Sequence, residues 1–258
     1  MSTFLNASPI FGPIKSRRLG ISLGVNLMPA TGKVCSFDCL YCENGLNANR
    51  RTQDGYNSAT EVLNALEAQL KKMTDEGKLP DVITFAGNGE PTASPAFPDA
   101  VFGAIELRDK LAPKAKVAVL SNGTHAHLPR VHEALMALDD NILKLDTVDP
   151  DYIALLDRPQ VPYDVSRQIE TFASFEGHCI IQTIFVTGQV GGRSADNTGE
   201  SFVGPWLDAI EKIQPGGVTI YTVARETPVE GLAKAAPEVL DAIAERVRAL
   251  GITCQVSY

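Results

Sequence analysis

Two hydrophobic periods alternate along the chain, and this alternation constrains the fold more than any other feature of the sequence. Short runs rich in branched apolar residues recur at 21–27, 82–86, 116–120, 142–145, 179–185, 218–223 and 252–256. Each has the length and composition of a buried strand. Between them lie stretches of helical period at 58–73, 96–111, 128–138, 164–175, 201–213 and 237–250. The first carries Val62, Leu63, Leu66 and Leu70 on one side, with Ser58 as N-cap and Glu61 as its capping-box partner. The last is rich in Ala, Glu and Arg and stops at Gly251, a C-terminal signal. Strands that alternate with helices form parallel sheets with right-handed crossovers. A complete eight-unit barrel takes about 250 residues. This chain has 258, spends 1–19 before the first strand and follows that strand with a long loop. Six units therefore fit better than eight. The expected architecture is α/β: a partial (β/α)6 TIM-like barrel in one domain, 1–258, with a short N-terminal extension at 1–19. Ligand chemistry in such folds gathers at the C-terminal strand ends.

Composition excludes several classes. The chain is 44% hydrophobic and 21% charged, with mean hydropathy −0.02, which argues against disorder. No apolar run approaches the ~20 residues of a membrane helix. The first residues, Met1 to Asn6, lack the basic and apolar segments of a secretory signal. A cytoplasmic protein without membrane partners is expected. The net charge of −8 is uneven. Residues 1–80 hold nine Lys/Arg against seven Asp/Glu, and the rest hold fourteen against twenty-four. An anionic ligand would meet the N-terminal part more readily, whereas a plain acidic, solubilising surface is the simpler reading.

Five cysteines are present, and three fall together as Cys35, Cys39 and Cys42, in a C-x3-C-x2-C loop after the first strand. A disulfide framework would spread its cysteines, whereas clustered thiols in a reducing compartment suit a metal. Three thiolates on one loop match three corners of a cubane iron–sulfur cluster, which ordinarily takes four cysteines. With no fourth cysteine near, one iron is left open to an outside ligand. Zinc held by three cysteines and a histidine is a competing reading, although the first histidine after Cys42 is His125. Chance burial of unrelated thiols is a third.

The same three cysteines, with Tyr41 just before the last, resemble the signature of the radical S-adenosylmethionine (SAM) superfamily. The resemblance implies a [4Fe–4S] cluster on Cys35, Cys39 and Cys42, with the amino and carboxylate groups of SAM on the fourth iron. It implies reductive cleavage of SAM to methionine and a 5′-deoxyadenosyl radical that abstracts hydrogen from a substrate. It also implies an external electron donor such as flavodoxin or ferredoxin. The family's partial barrel agrees with the strand count.

Further motifs follow in order. The second strand leads into Gly87-Asn88-Gly89-Glu90. Glycines permit close backbone approach, and read alone the segment is also an ordinary turn. In this place it resembles the family's GGE motif, which implies that Gly87, Asn88, Gly89 and Glu90 help seat the SAM amino group. The third strand ends in Ser121-Asn122-Gly123, a turn signal that stands where the family contacts SAM. The fourth carries Lys144-Leu145-Asp146. Residues two apart share a strand face, so Lys144 and Asp146 point into the barrel together. Buried opposite charges need each other or a ligand. A mutual ion pair is one reading; contact of Asp146 with SAM and of Lys144 with substrate is the other. Gln182 on the fifth strand is an amide among apolar neighbours and needs partners. Tyr221 and Arg225 lie near the rim of the sixth, where Arg225 suits a carboxylate, a phosphate or a surface salt bridge. Lys144, Gln182, Tyr221 and Arg225 are the catalytic candidates. His125, His127, His132 and His178 show no metal spacing, and only His125 adjoins a rim motif.

The stretch 11–20, Phe-Gly-Pro-Ile-Lys-Ser-Arg-Arg-Leu-Gly, together with Ser22-Leu23-Gly24-Val25-Asn26 and the Tyr221-Thr222-x-x-Arg225 element, resembles small bacterial relatives of the wyosine-base-forming enzymes. That implies a transfer RNA base as substrate. Full-length members carry cysteines for a second cluster, which Cys179 and Cys254 do not supply. Lys15, Arg17, Arg18, Arg50 and Arg51 form either an anion-binding patch or a solvated rim. A peptide or protein, as for activating enzymes, and a small metabolite are the other substrate classes. The non-enzyme alternative is a zinc-bound interaction module.

Overall fold

The computed structural model describes residues 5–16 and 18–258. Arg17 and residues 1–4, which the sequence reading used, lie outside these. The described residues form two compact units that interleave along the chain. An N-unit takes 5–36 and 47–141, and a C-unit takes 37–46 and 142–258.

The N-unit begins with β1 (Ile10–Ser16), antiparallel to β2 (Gly20–Val25). After α1 (Ala59–Asp75) comes β3 (Val82–Phe85), and after α2 (Phe97–Leu111) comes β4 (Lys116–Ser121). β3 pairs parallel with both β2 and β4, and α3 (Pro129–Ala137) closes the unit. All four residues of β3 are buried, which is why three of them are apolar; the fourth, Thr84, meets the Ser22 hydroxyl at 2.8 Å. The expected capping box opens α1: the Ser58 hydroxyl accepts from Glu61 N at 3.2 Å, and the Glu61 carboxylate accepts from Ser58 N at 2.8 Å. Val62, Leu66, Leu70 and Met73 form the buried face of α1, with Leu63 at its margin. β2 ends earlier than its apolar run because Asn26 turns the chain, its side-chain oxygen accepting from Met28 N at 3.2 Å.

β1 is a strand that the sequence reading treats as an extension. Gly12 to Lys15 are exposed and the register slips between Phe11 and Ile14, so no period-two pattern survives. Pro13 falls within this irregularity, where a residue without an N–H is tolerated.

The C-unit receives β5 (Asp140–Lys144) at Ile142. It continues through α4 (Pro150–Leu156), α5 (Val165–Ala173), β6 (Ile180–Ile184), β7 (Val186–Val190) and β8 (Arg193–Ser194). Then come α6 (Glu200–Ile213), β9 (Gly217–Tyr221), β10 (Leu232–Lys234), α7 (Pro237–Ala249) and β11 (Cys254–Ser257). β5, β6, β9 and β11 pair in that order, all parallel. β7 pairs antiparallel with β10 and β8. Trp206 of α6 anchors the core, its indole N–H donating to Leu145 O at 3.0 Å with Phe185 edge-on at 5.4 Å.

All seven expected strands form. α4 is an addition whose seven residues are too few to show a helical period. Its signal is Asp149-Pro150: the Asp149 carboxylate accepts from Tyr152 N at 2.7 Å, and Pro150 takes the first helical position. No helix among the described residues is long and apolar enough to cross a membrane.

Candidate functional site

The C-x3-C-x2-C loop follows β2, and the chain passes from one unit to the other within it. Cys35 belongs to the N-unit, and Cys39 and Cys42 to the C-unit. None of the three is in a disulfide, and all are half-buried.

In the N-unit the loop docks on the Gly87–Glu90 segment that follows β3. Val34 and Gly89 form a parallel bridge. Val34 N donates to Asn88 O and Glu90 N donates to Val34 O, each at 3.0 Å. Gly89 has φ +139°, and a Cβ there would lie 1.8 Å from the Val34 carbonyl oxygen. The glycine is therefore required to seat the residue that precedes Cys35. Asn88 is fully buried and its amide is spent inside the unit, donating to Asn6 O at 2.9 Å and Pro29 O at 2.8 Å. Its side-chain oxygen accepts from Asn6 N at 2.7 Å.

Glu90 is a buried hub. Its carboxylate accepts from Thr92 N at 3.0 Å, Thr92 Oγ1 at 2.5 Å, Ser121 Oγ at 2.6 Å and Asn122 N at 2.7 Å. The charge thus ties the end of β4 to the Gly87–Glu90 loop, with hydrogen bonds rather than a cation as compensation. Asn122 reaches onward, its Nδ2 donating to Ser36 Oγ at 2.9 Å and lying 3.8 Å from Cys35 Sγ. Thr124 and Ser36 hydroxyls complete this polar group at 2.7 Å from each other. His125 Nδ1 is 3.1 Å from Thr124 Oγ1, and burial holds its imidazole below the usual histidine range.

The C-unit assembles a different environment around Cys39. Lys144 Nζ, at the end of β5, donates to Cys39 Sγ at 2.9 Å, to Asp157 Oδ1 at 2.6 Å, and sits 3.2 Å from Asp146 Oδ2. The rings of Phe37 and Tyr41 lie 4.9 Å from the same ammonium. Burial alone would strip its proton, but Asp146, Asp157 and Cys39 together hold it well above the ordinary lysine range. The Tyr41 hydroxyl donates to Asp146 Oδ2, and burial and then Asp146 push the phenol well above its usual value. Asp146 Oδ1 accepts from Ile184 N at 3.0 Å. Burial lifts the Asp157 carboxyl above the usual carboxylate range, against the pull of Lys144. Of the two readings for Lys144 and Asp146, the ion pair is realised.

Gln182 is the neighbour of Lys144 across β5 and β6, and of Thr219 on β9. Tyr221 packs against the cluster of Leu40, Tyr152, Leu156, Ile184 and Val186. Arg225 takes the surface option, bonding Glu43 at 2.5 Å with both side chains exposed. Asp157, Phe37, Ser36 and Thr124 escape the sequence reading. Asp157 caps no recognisable motif; its one signal is the need of Lys144 for a counter-ion. Ser36 lies inside the cysteine loop and is ordinary in isolation.

No protein-family model matches the chain. It is similar to the GTPase Obg of Brachyspira hyodysenteriae, 28% identical over 231 residues, covering 88% of this chain and 31% of that protein. It is also similar to a UPF0026 protein of Helicobacter pylori, 30% identical over 190 residues, covering 71% of this chain and 58% of the relative. The chain thus spans less than two thirds of the length of these relatives. Among solved structures it resembles a radical SAM methyltransferase from Sphaerobacter thermophilus, with TM-score 0.66 and 16% identity, covering 92% of this chain and 66% of that one. It resembles TYW1 with a lysine–pyruvate adduct at TM-score 0.64 and 13% identity, covering 88% and 73%. Streptococcus suis SuiB bound to S-adenosylmethionine matches at TM-score 0.62 and 16% identity, covering 88% and 48%. The chain has the radical SAM fold. The expected partial barrel is therefore correct. In this radical SAM fold the cysteine loop follows β2, the Gly87–Glu90 loop follows β3, Asn122 follows β4 and Asp146 follows β5. Each is a C-terminal strand end, where such folds place their chemistry.

The thiols divide by reactivity. Burial pushes the Cys179 thiol up to about 12 and Cys254 up to about 11. Only the thiolate attacks a disulfide reagent. With the metal-free protein at about pH 8, we expect a thiol reagent to modify the loop cysteines first and Cys179 only on unfolding. Peptide mapping of the labelled protein checks this; early labelling of Cys179 would contradict its burial.

Proposed function

We propose that the chain is a radical SAM enzyme in which Cys35, Cys39 and Cys42 hold a [4Fe–4S] cluster and SAM completes the fourth iron. One observation carries the reading: a C-x3-C-x2-C loop directly follows the first parallel strand of a radical SAM fold. The donor set suits the group. The thiols are in no disulfide, Asn122 Nδ2 approaches Cys35 Sγ and the Lys144 ammonium bonds Cys39 Sγ. Such N–H donors stabilise thiolate ligands.

When bound, the cluster and SAM supply a 5′-deoxyadenosyl radical for hydrogen abstraction. The protein's part is to orient and to exclude water. Gly87 and Gly89 bring backbone to the SAM amino group, Glu90 holds that loop against β4, and Asn122 braces Cys35. Asp146 keeps the Tyr41 ring beside Lys144. Substrate would approach Gln182 and Tyr221. We take the whole chain, 1–258, as one catalytic domain. Flavodoxin or ferredoxin is the expected donor, in the reducing cytoplasm where free thiols persist. A transfer RNA base is the first substrate to test, supported by the residues at 12–20 and by the cationic excess of residues 1–80; co-purified RNA would reveal it.

The decisive experiment is anaerobic reconstitution with iron and sulfide. The protein should become brown with about four irons and, given reductant and SAM, release 5′-deoxyadenosine. Stoichiometric tight zinc without SAM cleavage would overturn the reading.

A further inference from the structure

An ammonium has three protons to place; Lys144 donates to Asp157 and Cys39 and is ion-paired with Asp146 at 3.2 Å. Two carboxylates already satisfy a buried cation. The third acceptor is a sulfur, at 2.9 Å, which a purely structural ion pair does not need. The head group is fixed: its side chain is 14% exposed, Asp146 and Asp157 grip it, and the Phe37 and Tyr41 rings sit on it.

We propose that Lys144 is a positioning residue for the iron–sulfur centre, donating its N–H to the Cys39 sulfur and thereby raising the reduction potential of the cluster. The proposal rests on the radical SAM reading above. Reduction adds an electron to a centre already made anionic by thiolates. A cation and an N–H donor at a ligand sulfur lower the cost of that electron, since hydrogen bonds to sulfur and local charge set cluster potentials. Asp146 and Asp157 oppose the effect electrostatically, yet they hold the ammonium against the sulfur. Lys144 thus makes the centre reducible by a weaker donor without touching SAM or substrate.

The test is a spectroscopic redox titration of the reconstituted protein, with iron content measured in parallel. K144M/D157N removes the cation together with one partner, so no carboxylate is left newly unpaired at Asp157. At the poise that half-reduces the native cluster, its reduced-to-oxidised ratio should fall about tenfold, equivalent to about 59 mV for one electron. K144R keeps the charge and should stay within about threefold of native at that poise. If the double variant does not fold, K144Q carries the same tenfold criterion. An iron-loaded, folded variant lacking the cation but titrating as native overturns the proposal alone. A native chain that binds no cluster overturns the radical SAM reading, and this proposal with it.

Discussion

Cys39→Ala should leave a folded protein that no longer cleaves SAM, while Cys179→Ala and Cys254→Ala keep the activity. The loss should exceed the roughly 10–100-fold typical of an outer-shell partner, because the proposed cluster would lose one of its three ligands. Folding should survive because Lys144 retains Asp157 at 2.6 Å and Asp146 at 3.2 Å when the sulfur is gone. No buried charge is left alone, which is the condition under which such changes become severe. Cys179 is a different kind of cysteine. It is buried, its thiol lies 3.8 Å from Phe172 O, and its replacement deletes one core atom at a cost of about 1 kcal/mol. The measurements are iron per chain, 5′-deoxyadenosine per chain and far-UV dichroism. Loss of cleavage in a folded Cys179→Ala or Cys254→Ala protein would show that the cluster has a fourth protein ligand.

The parts of this molecule that were legible in the sequence are those whose physics is local or periodic. β3 is readable because both its faces are buried, so Val82, Ile83 and Phe85 are apolar on either side of one threonine. α1 is readable because its N-terminus is closed by residues three apart, Ser58 and Glu61. The proximity of Cys35, Cys39 and Cys42 is readable because their spacing on one loop is covalently fixed. What escaped depends on distant partners. β1 is held mainly by pairing with β2 and buries too little to show a pattern. Asp157 matters because it meets Lys144, which is thirteen residues away. Asn88 sits inside a recognisable motif, yet its side chain braces Asn6 and Pro29, contacts no spacing rule anticipates. Arg225 had two readings of equal standing, and only the position of Glu43 separates them.

Gly89→Ala should be strongly destabilising for a single added methyl. The residue lies at φ +139°, which costs an alanine about 1–3 kcal/mol by itself. The new Cβ would also stand 1.8 Å from the Val34 carbonyl oxygen. That oxygen cannot rotate away, because it accepts from Glu90 N at 3.0 Å while Val34 N donates to Asn88 O. Relief therefore moves backbone, and Val34 is one residue from Cys35. We expect destabilisation of at least about 3 kcal/mol, in the range of strain and lost hydrogen bonds together, with a parallel fall in iron content. Gly87→Ala should cost less. It too has positive φ, at +126°, but its Cβ meets the Asn26 side-chain oxygen at 2.4 Å, the end of a side chain rather than a main-chain carbonyl. Gly191, at φ +57° with nothing within 4 Å, isolates the conformational cost, about 1 kcal/mol as alanine. Denaturant unfolding of the three variants, with iron per chain, orders them. A Gly89→Ala protein of native stability and iron content but weakened SAM affinity would mean that this glycine serves only the ligand. The expected order, Gly89 above Gly87 above Gly191, would mean instead that the glycine motif builds the cysteine loop before it binds anything.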